Sequence, residues 1–232
     1  MIIAIIPARG GSKGIPRKNL IPFCGKPLVA WSVEAAKGAK HVDEVYVSTD
    51  DDEIAGICEK HGAKIVKRPA EISGDEASSE SALIHVFDSL GADVRKKIEL
   101  IVFLQATSPI REASDIDKAV EYLKAEKADS LFSAFYIGDF YVWKIKEGKP
   151  VSINYDYRRR ERRQDFEKQY RENGSIYVFK PGILTKQKNR LGGKILLFEM
   201  DPWKSQQIDE PRDIPLLEFY MKALQEGKIP DM

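Results

Sequence analysis

The chain begins with MIIAIIPARGGSKG (residues 1–14), where an apolar, β-branched run leads directly into a loop rich in glycine and positive charge. Such a run is typical of a strand buried on both faces of a parallel sheet. Ligands of an open parallel sheet bind beyond the carboxyl ends of its strands, where this loop would lie. The stretch therefore predicts an α/β protein that binds its ligand at this edge.

The same alternation of apolar runs and helical periods continues along the chain. It predicts strands at Ile2–Ile6, Glu44–Ser48, Ala63–Lys67, Leu100–Leu104, Asp129–Phe135, Ser175–Phe179 and Ile195–Phe198. It predicts helices at Leu28–Gly38, Asp51–His61, Ser78–Leu90, Ala113–Lys127 and from about Pro211 to Gln225. We expect one α/β domain over residues 1–232, with a mostly parallel, Rossmann-like sheet.

The alternation breaks between residues 137 and 172. Tyr141–Ile145 and Val151–Tyr155 flank a Gly-Lys-Pro turn and predict a hairpin, and the run Arg158–Arg163 follows it. We interpret Ile137–Glu172 as an arm inserted into the domain.

The composition excludes several classes of function. The 232 residues are 43% hydrophobic, and 37 basic residues nearly cancel 36 acidic ones, which argues against a nucleic-acid partner bound by bulk charge. The sequence has neither an apolar run of about 18–20 residues nor a signal peptide, so no membrane partner is expected. Cys24 and Cys58 make neither a disulfide framework nor a zinc cluster. We therefore expect a soluble, cytoplasmic protein.

The glycine-rich loop is the first candidate binding site. Glycines let backbone N–H groups approach an anion, and the loop adds four cations: Arg9, Lys13, Arg17 and Lys18. This combination suits a triphosphate better than a single phosphate. The alternative is a surface loop whose charges are merely solvated.

Two further polar clusters follow predicted strands. Arg68, Asp75, Ser78 and Ser79 follow the third strand, and Arg68 is a donor fork suited to the carbonyls of a nucleobase. Ser78 or Asp75 could instead only cap the next helix. A second cluster, LQATSPIR (residues 104–111), ends the central strand and is either a polar ligand site or a capped turn.

Two later segments have competing structural interpretations. Asn173-Gly174 is a strong turn signal. Asp209 and Asp213 are four residues apart and could hold Mg²⁺ near phosphates, but on spacing alone we favour a helix cap at Asp209 or Glu210. The three histidines are scattered, and no catalytic triad is evident from spacing.

Seven segments, in this order, resemble the acylneuraminate cytidylyltransferase (CMP-sialic acid synthetase) family over nearly the whole chain. They are IPARGGSKG (6–14) with KNL (18–20), STD (48–50), RPAE (68–71), LQATSPIR (104–111), RRQD (162–165), NGSIY (173–177), and ID (208–209) with Asp213. The resemblance implies a nucleotide-diphospho-sugar transferase fold, Mg²⁺ as cofactor and a homodimer built through the arm. It also implies that CTP and an acidic nine-carbon keto sugar react to give the CMP-sugar and pyrophosphate. In this reaction the anomeric hydroxyl of the sugar would attack the α-phosphate of CTP.

The resemblance also implies roles for residues of this chain. The catalytic residues would be Arg9, Lys13, Lys18 and Gln105. The nucleotide would be bound by Ala8, Gly10, Gly11, Ser12, Asn19, Arg68, Ser78 and Ser79, and the sugar by Gln105, Thr107, Ser108, Arg163, Asn173 and Tyr177. Asp209 and Asp213 would bind the metal. Gln207 is a departure, because many relatives carry an Asp there.

Three other functions compete with this one. A Kdo-type or sugar 1-phosphate nucleotidyltransferase usually has an Asp just after the central strand, where this chain has Gln105-Ala106-Thr107. A non-catalytic nucleotide-binding module is the second. The third, an RNA-binding patch at Arg158–Arg163, fits poorly with the near-zero net charge.

Overall fold

In a computed structural model, which describes residues 1–12, 14–138 and 140–229, seven strands form one sheet. The side chain of Arg163 and all of Lys13 lie outside the described part of the chain. The strands are β1 (Ile2–Pro7), β2 (Pro22–Phe23), β3 (Lys26–Pro27), β4 (Glu44–Thr49), β5 (Lys64–Lys67), β6 (Leu100–Leu104), β7 (Ser130–Tyr136), β8 (Trp143–Lys146), β9 (Lys149–Ser152), β10 (Tyr170–Phe179) and β11 (Ile195–Glu199). The α-helices are α1 (Leu28–Gly38), α2 (Asp52–Lys60), α3 (Ser79–Ser89), α4 (Ala92–Arg95), α5 (Ala113–Ala125), α6 (Pro181–Gln187) and α7 (Asp213–Gln225).

The strand order in the sheet is β11-β7-β10-β6-β1-β4-β5. β1 pairs in parallel with β4 and with β6, and β10 runs antiparallel between β6 and β7. The predicted mostly parallel α/β sheet is confirmed. Since β1 and β6 are neighbours, the loops that follow them leave the same edge.

Helices cover both faces of the sheet, as the apolar strands predict. Ile2, Ala4 and Ile6 of β1 pack in one core cluster with α1, α2 and α5. Ile3 and Ile5 face the other cluster, which includes side chains of α3 and α6. The longest helices have 13 residues, and no helix in the described ranges is long and apolar enough to cross a membrane.

The predicted boundaries of α1 and β6 agree with the structure, and most others differ by one or two residues. The last helix begins at Asp213, so Pro211 precedes it rather than lying in its first turn. The short helices α4 and α6 were not predicted, because neither has enough residues to show a helical period.

Asn173-Gly174 is not a turn. Both residues lie inside β10, where the register with β7 shifts between Glu172 and Tyr177. Gly174 has φ +67°, a conformation in which glycine is favoured, so Asn-Gly here marks an irregularity within a strand. This bulge interrupts the alternation of side chains and explains why the sequence predicted only the second half of β10.

The arm contains the predicted hairpin, formed by β8 and β9. Its base is an aromatic cluster in which the ring of Tyr155 lies 4.2 Å from Tyr141 and 5.8 Å from Trp143, centroid to centroid. Tyr170–Glu172 belongs to β10 and pairs with β7. The segment outside the main sheet therefore ends at residue 169, three residues earlier than predicted.

Arg111 is a buried cation that joins three elements next to the sheet edge. Its side chain is 3% exposed and donates to the Ser175 carbonyl in β10 (2.7 Å) and to the Ser32 hydroxyl in α1 (2.7 Å). Burial lowers the pKa of Arg111 to about 10, with nearby Asp115 acting in the opposite direction, so the group stays charged at neutral pH. It also lies 3.5 Å from the carbonyl of Gln105, just after β6.

We predict that Arg111→Met lowers the free energy of unfolding by about 3 kcal/mol, because the buried acceptors lose a charged donor. Urea denaturation would measure the loss. The control is Arg212→Met, since Arg212 is 82% exposed and its ion pair with Glu210 should contribute less than about 1 kcal/mol. Equal midpoints for the two variants would contradict a structural role for the buried guanidinium.

Candidate functional site

A cleft of about 590 Å³ lies at the carboxyl ends of β1 and β6. The loops after β1, β5 and β6 and the segment before α7 surround it. It brings together ten of the predicted site residues: Arg9, Ser12, Lys18, Asn19, Arg68, Ser78, Ser79, Gln105, Thr107 and Asp209. These residues are distant in sequence, and the fold brings them together because most of them follow strands that lie close to one another in the sheet.

Lys18 joins the glycine-rich loop to the segment before α7. Its Nζ lies 2.9 Å from the Asp209 carboxylate and 2.9 Å from the Ile208 carbonyl. The Lys18 side chain is only 14% exposed, whereas Asp209 is 62% exposed. A predicted phosphate ligand and a predicted metal ligand are therefore paired with each other.

The other described cations of the loop also have acidic partners. Arg9 forms an ion pair with Asp75 (3.1 Å) and donates to the Gly74 carbonyl (2.7 Å). Arg17 pairs with Asp51 and Glu53 at 3.0 and 2.9 Å. The charge of the loop is thus largely balanced by carboxylates from neighbouring loops.

The backbone amides of the loop are only partly open to a ligand. The N–H of Ala8 donates to the Ser48 carbonyl, and that of Gly10 donates to Asp50, both at 2.9 Å. A Cβ added to Gly10 would lie 2.8 Å from the Asp51 carboxylate, whereas one added to Gly11 would meet no atom within 4 Å. Gly11 and Ser12 therefore form the open part of the loop.

Asn19 and Arg68 form a well-anchored wall of the cleft, each 7% exposed. Asn19 donates to the Arg9 carbonyl (2.9 Å) and so supports the loop from behind. Arg68 donates to the hydroxyl and carbonyl of Ser48, at 3.0 and 2.7 Å. Burial lowers the pKa of Arg68 from its ordinary value, and Asp50 partly opposes this shift.

Ser78 is both a helix cap and a residue of the cleft, the two roles that the sequence left open. Its hydroxyl caps α3 by accepting from the Ser81 amide (3.1 Å), and the residue also lines the cleft beside Ser79. Asp75, the other capping candidate, instead pairs with Arg9.

A smaller cavity of about 250 Å³ adjoins the cleft at Asp209. Asn173, Gln207 and Asp213 contribute to its lining. Asn173 is 3% exposed, and its side chain accepts from Ser133 and donates to Ser205. The Asn173 side chain therefore holds the bulge of β10 in place.

Tyr177 and Ser108 lie away from the cleft, although both were predicted to bind the sugar. The Tyr177 ring stacks on Phe103 (5.2 Å between centroids), and Phe103 rather than Tyr177 lines the cleft. Burial and a hydrogen bond to Glu172 raise the pKa of Tyr177 above its usual value. Ser108 is 1% exposed, and its hydroxyl finds no partner among the described residues. These two side chains support the site from within the core.

The cap before α7 differs from the prediction. The N-cap residue is Arg212, which makes no side-chain capping hydrogen bond, and the Asp213 carboxylate accepts instead from the amides of Asp209 (2.9 Å) and Glu210 (2.7 Å), which precede the helix. The predicted cap at Asp209 or Glu210 is therefore wrong, and the Asp209 carboxylate remains in the cleft. Within the described ranges, no cluster of three or more His, Cys, Asp or Glu side chains could hold a metal ion.

Phe103, Ala77 and Asp50 contribute to the site although the sequence predicted no role for them. Phe103 lies within an entirely apolar strand, so no pattern separates it from its neighbours. Asp50 follows a predicted strand and could have been found by the rule that located Arg68 and Gln105.

The arrangement can bind a polyanion. Arg9, Lys18 and Arg68 line one cleft together with Ser12, and the exposed carboxylate of Asp209 also lines it. These are groups that neutralise and orient phosphates. The chemistry that they favour is therefore transfer at a phosphate by positioning and charge neutralisation.

Comparisons with known proteins agree with this geometry. N-acylneuraminate cytidylyltransferase of Oncorhynchus mykiss is 36% identical over 220 residues, which is 94% of this chain and 49% of that protein. The chain spans about half the length of the fish relatives it matches. Pseudaminic acid cytidylyltransferase of Campylobacter jejuni is 35% identical over 178 residues, 75% of this chain and 76% of the relative.

A solved structure, CMP:2-keto-3-deoxy-manno-octonic acid synthetase complexed with CTP, superposes with a TM-score of 0.71 at 20% identity. It covers 98% of this chain and 99% of its own, and it supports the fold assignment. The family model described as cytidylyltransferase matches residues 3–226. The chain belongs to the cytidylyltransferase family.

Proposed function

We propose that the protein is a CTP-dependent cytidylyltransferase that forms the CMP derivative of a sialic-acid-like, nine-carbon keto acid sugar and releases pyrophosphate. The observation that carries this proposal is the convergence of Arg9, Lys18, Arg68 and Gln105 on one cleft in a chain of this family. The relatives named for N-acylneuraminate and pseudaminic acid support the sugar class. Its cytoplasmic location stays a prediction.

The cations of the glycine-rich loop bind the triphosphate in this proposal. Arg9, Lys18 and the predicted Lys13 neutralise its charge, while Gly11 and Ser12, the open part of the loop, contact it through short-range donors. Because Arg9 and Lys18 are paired with Asp75 and Asp209, they exchange a carboxylate for a phosphate when CTP binds. Asn19, Arg68, Ser78 and Ser79 contact the nucleoside from the opposite wall.

The sugar binds beside Gln105 and Thr107, towards the cavity that Asn173 lines. Its anomeric oxygen attacks the α-phosphorus, the bond from that phosphorus to the bridging oxygen breaks, and pyrophosphate leaves with that oxygen. The proton of the anomeric hydroxyl passes to water. Arg163 is proposed as a bidentate partner of the sugar carboxylate. Positioning and charge neutralisation are sufficient for such a transfer.

Asp209 fits a magnesium site better than Asp213. Mg²⁺ usually takes one or two carboxylates together with phosphates and water, and Asp209 lines the cleft with an exposed carboxylate. The Asp213 carboxylate already accepts hydrogen bonds from two backbone amides, so it mainly holds the segment that precedes α7. Bound Mg²⁺ would screen the charge of the phosphates.

The function is tested by incubating the protein with CTP, Mg²⁺ and a panel of acids: N-acetylneuraminate, legionaminate, pseudaminate and Kdo. We expect pyrophosphate release with at least one nine-carbon acid and with CTP in preference to UTP. Release with Kdo alone would favour the Kdo-type alternative. No release with any acid, together with CTP binding, would favour a nucleotide-binding module.

Asp209→Asn should separate a metal ligand from a structural residue. We predict a loss of kcat of about 100-fold or more, since one important electrostatic group is removed. The melting temperature should hardly change, because the Asn side-chain oxygen can still accept from Lys18, whose ammonium also keeps the Ile208 carbonyl as an acceptor. A Mg²⁺ titration beside a thermal melt measures both effects.

Asp213→Asn is the matched control for this experiment. Its amide oxygen still accepts a backbone N–H, so its effect on kcat should be much smaller. Wild-type activity of Asp209→Asn at millimolar Mg²⁺ would exclude this carboxylate from the metal site.

We further propose that the arm joins two copies of the chain into a homodimer. Several large apolar side chains of the arm are highly exposed, among them Phe140 (73%), Ile145 (72%), Ile153 (55%) and Tyr157 (54%). Patches of this kind on one segment mark an interaction surface, and aromatic residues are enriched in interfaces.

We predict that light scattering at micromolar concentration gives twice the 26.3 kDa mass of one chain. Ile145→Glu should shift the protein towards the single-chain mass, since a charge would be buried in the contact. Phe219→Glu is the control, because Phe219 is 64% exposed on α7, away from the arm. A single-chain mass for the unmodified protein would refute the dimer.

A further inference from the structure

Two glutamines meet at the boundary between the cleft and the smaller cavity. Gln105 lines the cleft, and Gln207 lines the cavity. The Nε2 atom of Gln207 lies 3.2 Å from Oε1 of Gln105 and also donates to the Asn173 carbonyl. Neither contact follows from the resemblance, which marks position 207 only as a departure.

The orientation of the Gln207 amide is set by its partners. A backbone carbonyl only accepts hydrogen bonds, so the Gln207 atom that faces Asn173 must be the nitrogen. Asn173 is itself held by the buried hydrogen bonds to Ser133 and Ser205. The second N–H of Gln207 then requires an acceptor, and Oε1 of Gln105 supplies it.

Gly174 makes room for this contact. A Cβ at this position would lie 2.4 Å from Nε2 of Gln207 and 2.7 Å from Oε1 of Gln105. Both amides therefore pack directly on the backbone of the bulge, which a larger residue would prevent. The bulge at Gly174 and the side chains of Gln105 and Gln207 are therefore held together by packing and hydrogen bonds.

We propose that Gln207 is a positioning residue that fixes the orientation of the Gln105 amide, so that Gln105 offers its Nε2 donor to the substrate. With Oε1 engaged by Gln207, a ligand in the cleft meets N–H groups, which suit the acceptor oxygens of a carboxylate. This inference rests on the proposed function, because it gives the carboxylate of the acidic sugar a second donor, Gln105, in addition to the proposed Arg163. Gln207 thereby contributes to the choice of an acid over its neutral amide.

Gln207→Glu tests the orientation directly. The new carboxylate has no N–H, so it cannot donate to Oε1 of Gln105. We expect the Gln105 amide to reverse, donate its Nε2 to that carboxylate and turn Oε1 towards the substrate. An acceptor would then face the carboxylate of the sugar and oppose its binding.

The measurement compares the acid that gives most turnover with its carboxamide analogue. The preference for the acid in kcat/KM should fall about 30-fold in Gln207→Glu, the size of one lost hydrogen bond to a charged group. The KM for CTP should change by less than about 3-fold. An unchanged preference for the acid would overturn the proposal.

Gln206→Glu is the matched control for charge. It places the same carboxylate in the lining of the same cavity, but at a side chain that donates to the Pro202 carbonyl (3.0 Å) rather than to Gln105. We expect it to keep the preference for the acid. An equal loss in both variants would mean that added negative charge alone is responsible, and would overturn the positioning role.

A spectroscopic readout separates this inference from the proposed function. In nitrogen-15 spectra of the ligand-free protein, the Gln105 side-chain amide, assigned with Gln105→Ala, should shift in Gln207→Glu, because it gains a carboxylate acceptor. No shift overturns the positioning role even if activity changes. If the unmodified protein turns over none of the acids, the proposed function fails while this shift still tests the orientation.

Gln207→Met covers the case in which the charged variant does not fold. It removes the donor without adding charge, so Gln105 can take either orientation. We then expect a smaller loss of the preference for the acid, about 3-fold, and faster hydrogen exchange at the Asn173 bulge. An unchanged preference in a folded Gln207→Met variant would also overturn the proposal.

Discussion

The site depends on one buried interaction, the hydrogen bonds of the Arg111 guanidinium to α1 and β10 beside the end of β6. A buried cation is costly unless every direction around it is satisfied. Its partners here are the carbonyl and hydroxyl of Ser175, the Ser32 hydroxyl and the nearby charge of Asp115, whereas its Nε finds no hydrogen-bond partner among the described residues. Because Ser175 follows the bulge at Asn173-Gly174, the same contacts fix the two strands that carry Gln105 and Asn173.

The hydrogen bonds of Arg111 help to explain why polar residues such as Asn173 and Ser175 can lie inside β10, which is otherwise part of the core. The antiparallel strand β10 changes register between Glu172 and Tyr177, which aims the Asn173 side chain at Ser133 and Ser205. The chain thereby places a rigid carbonyl next to Gln207. With a larger residue than Gly174 at this point of the strand, the two glutamine side chains could not pack on the backbone.

The fold was largely predictable from the sequence, because strands such as β6 are wholly apolar and helices such as α1 have a clear period. The residues that line the cleft could also be predicted, because parallel strands bring their carboxyl ends to one edge of the sheet. The partners of each group could not. Nothing in the sequence places Asp75 on Arg9 or Asp209 on Lys18, because both contacts depend on how separate loops meet.

The pairing of the loop cations has a consequence for how the cleft works. Several positive groups placed together without counter-charges would repel one another and destabilise the loop. Here Asp75, Asp51 and Asp209 provide these counter-charges when no nucleotide is bound. A polyanion must therefore displace carboxylates, which lowers its affinity compared with a bare cluster of cations. In return Arg9, Arg17 and Lys18 are already held by their partners, so less of the binding energy is spent on ordering these side chains.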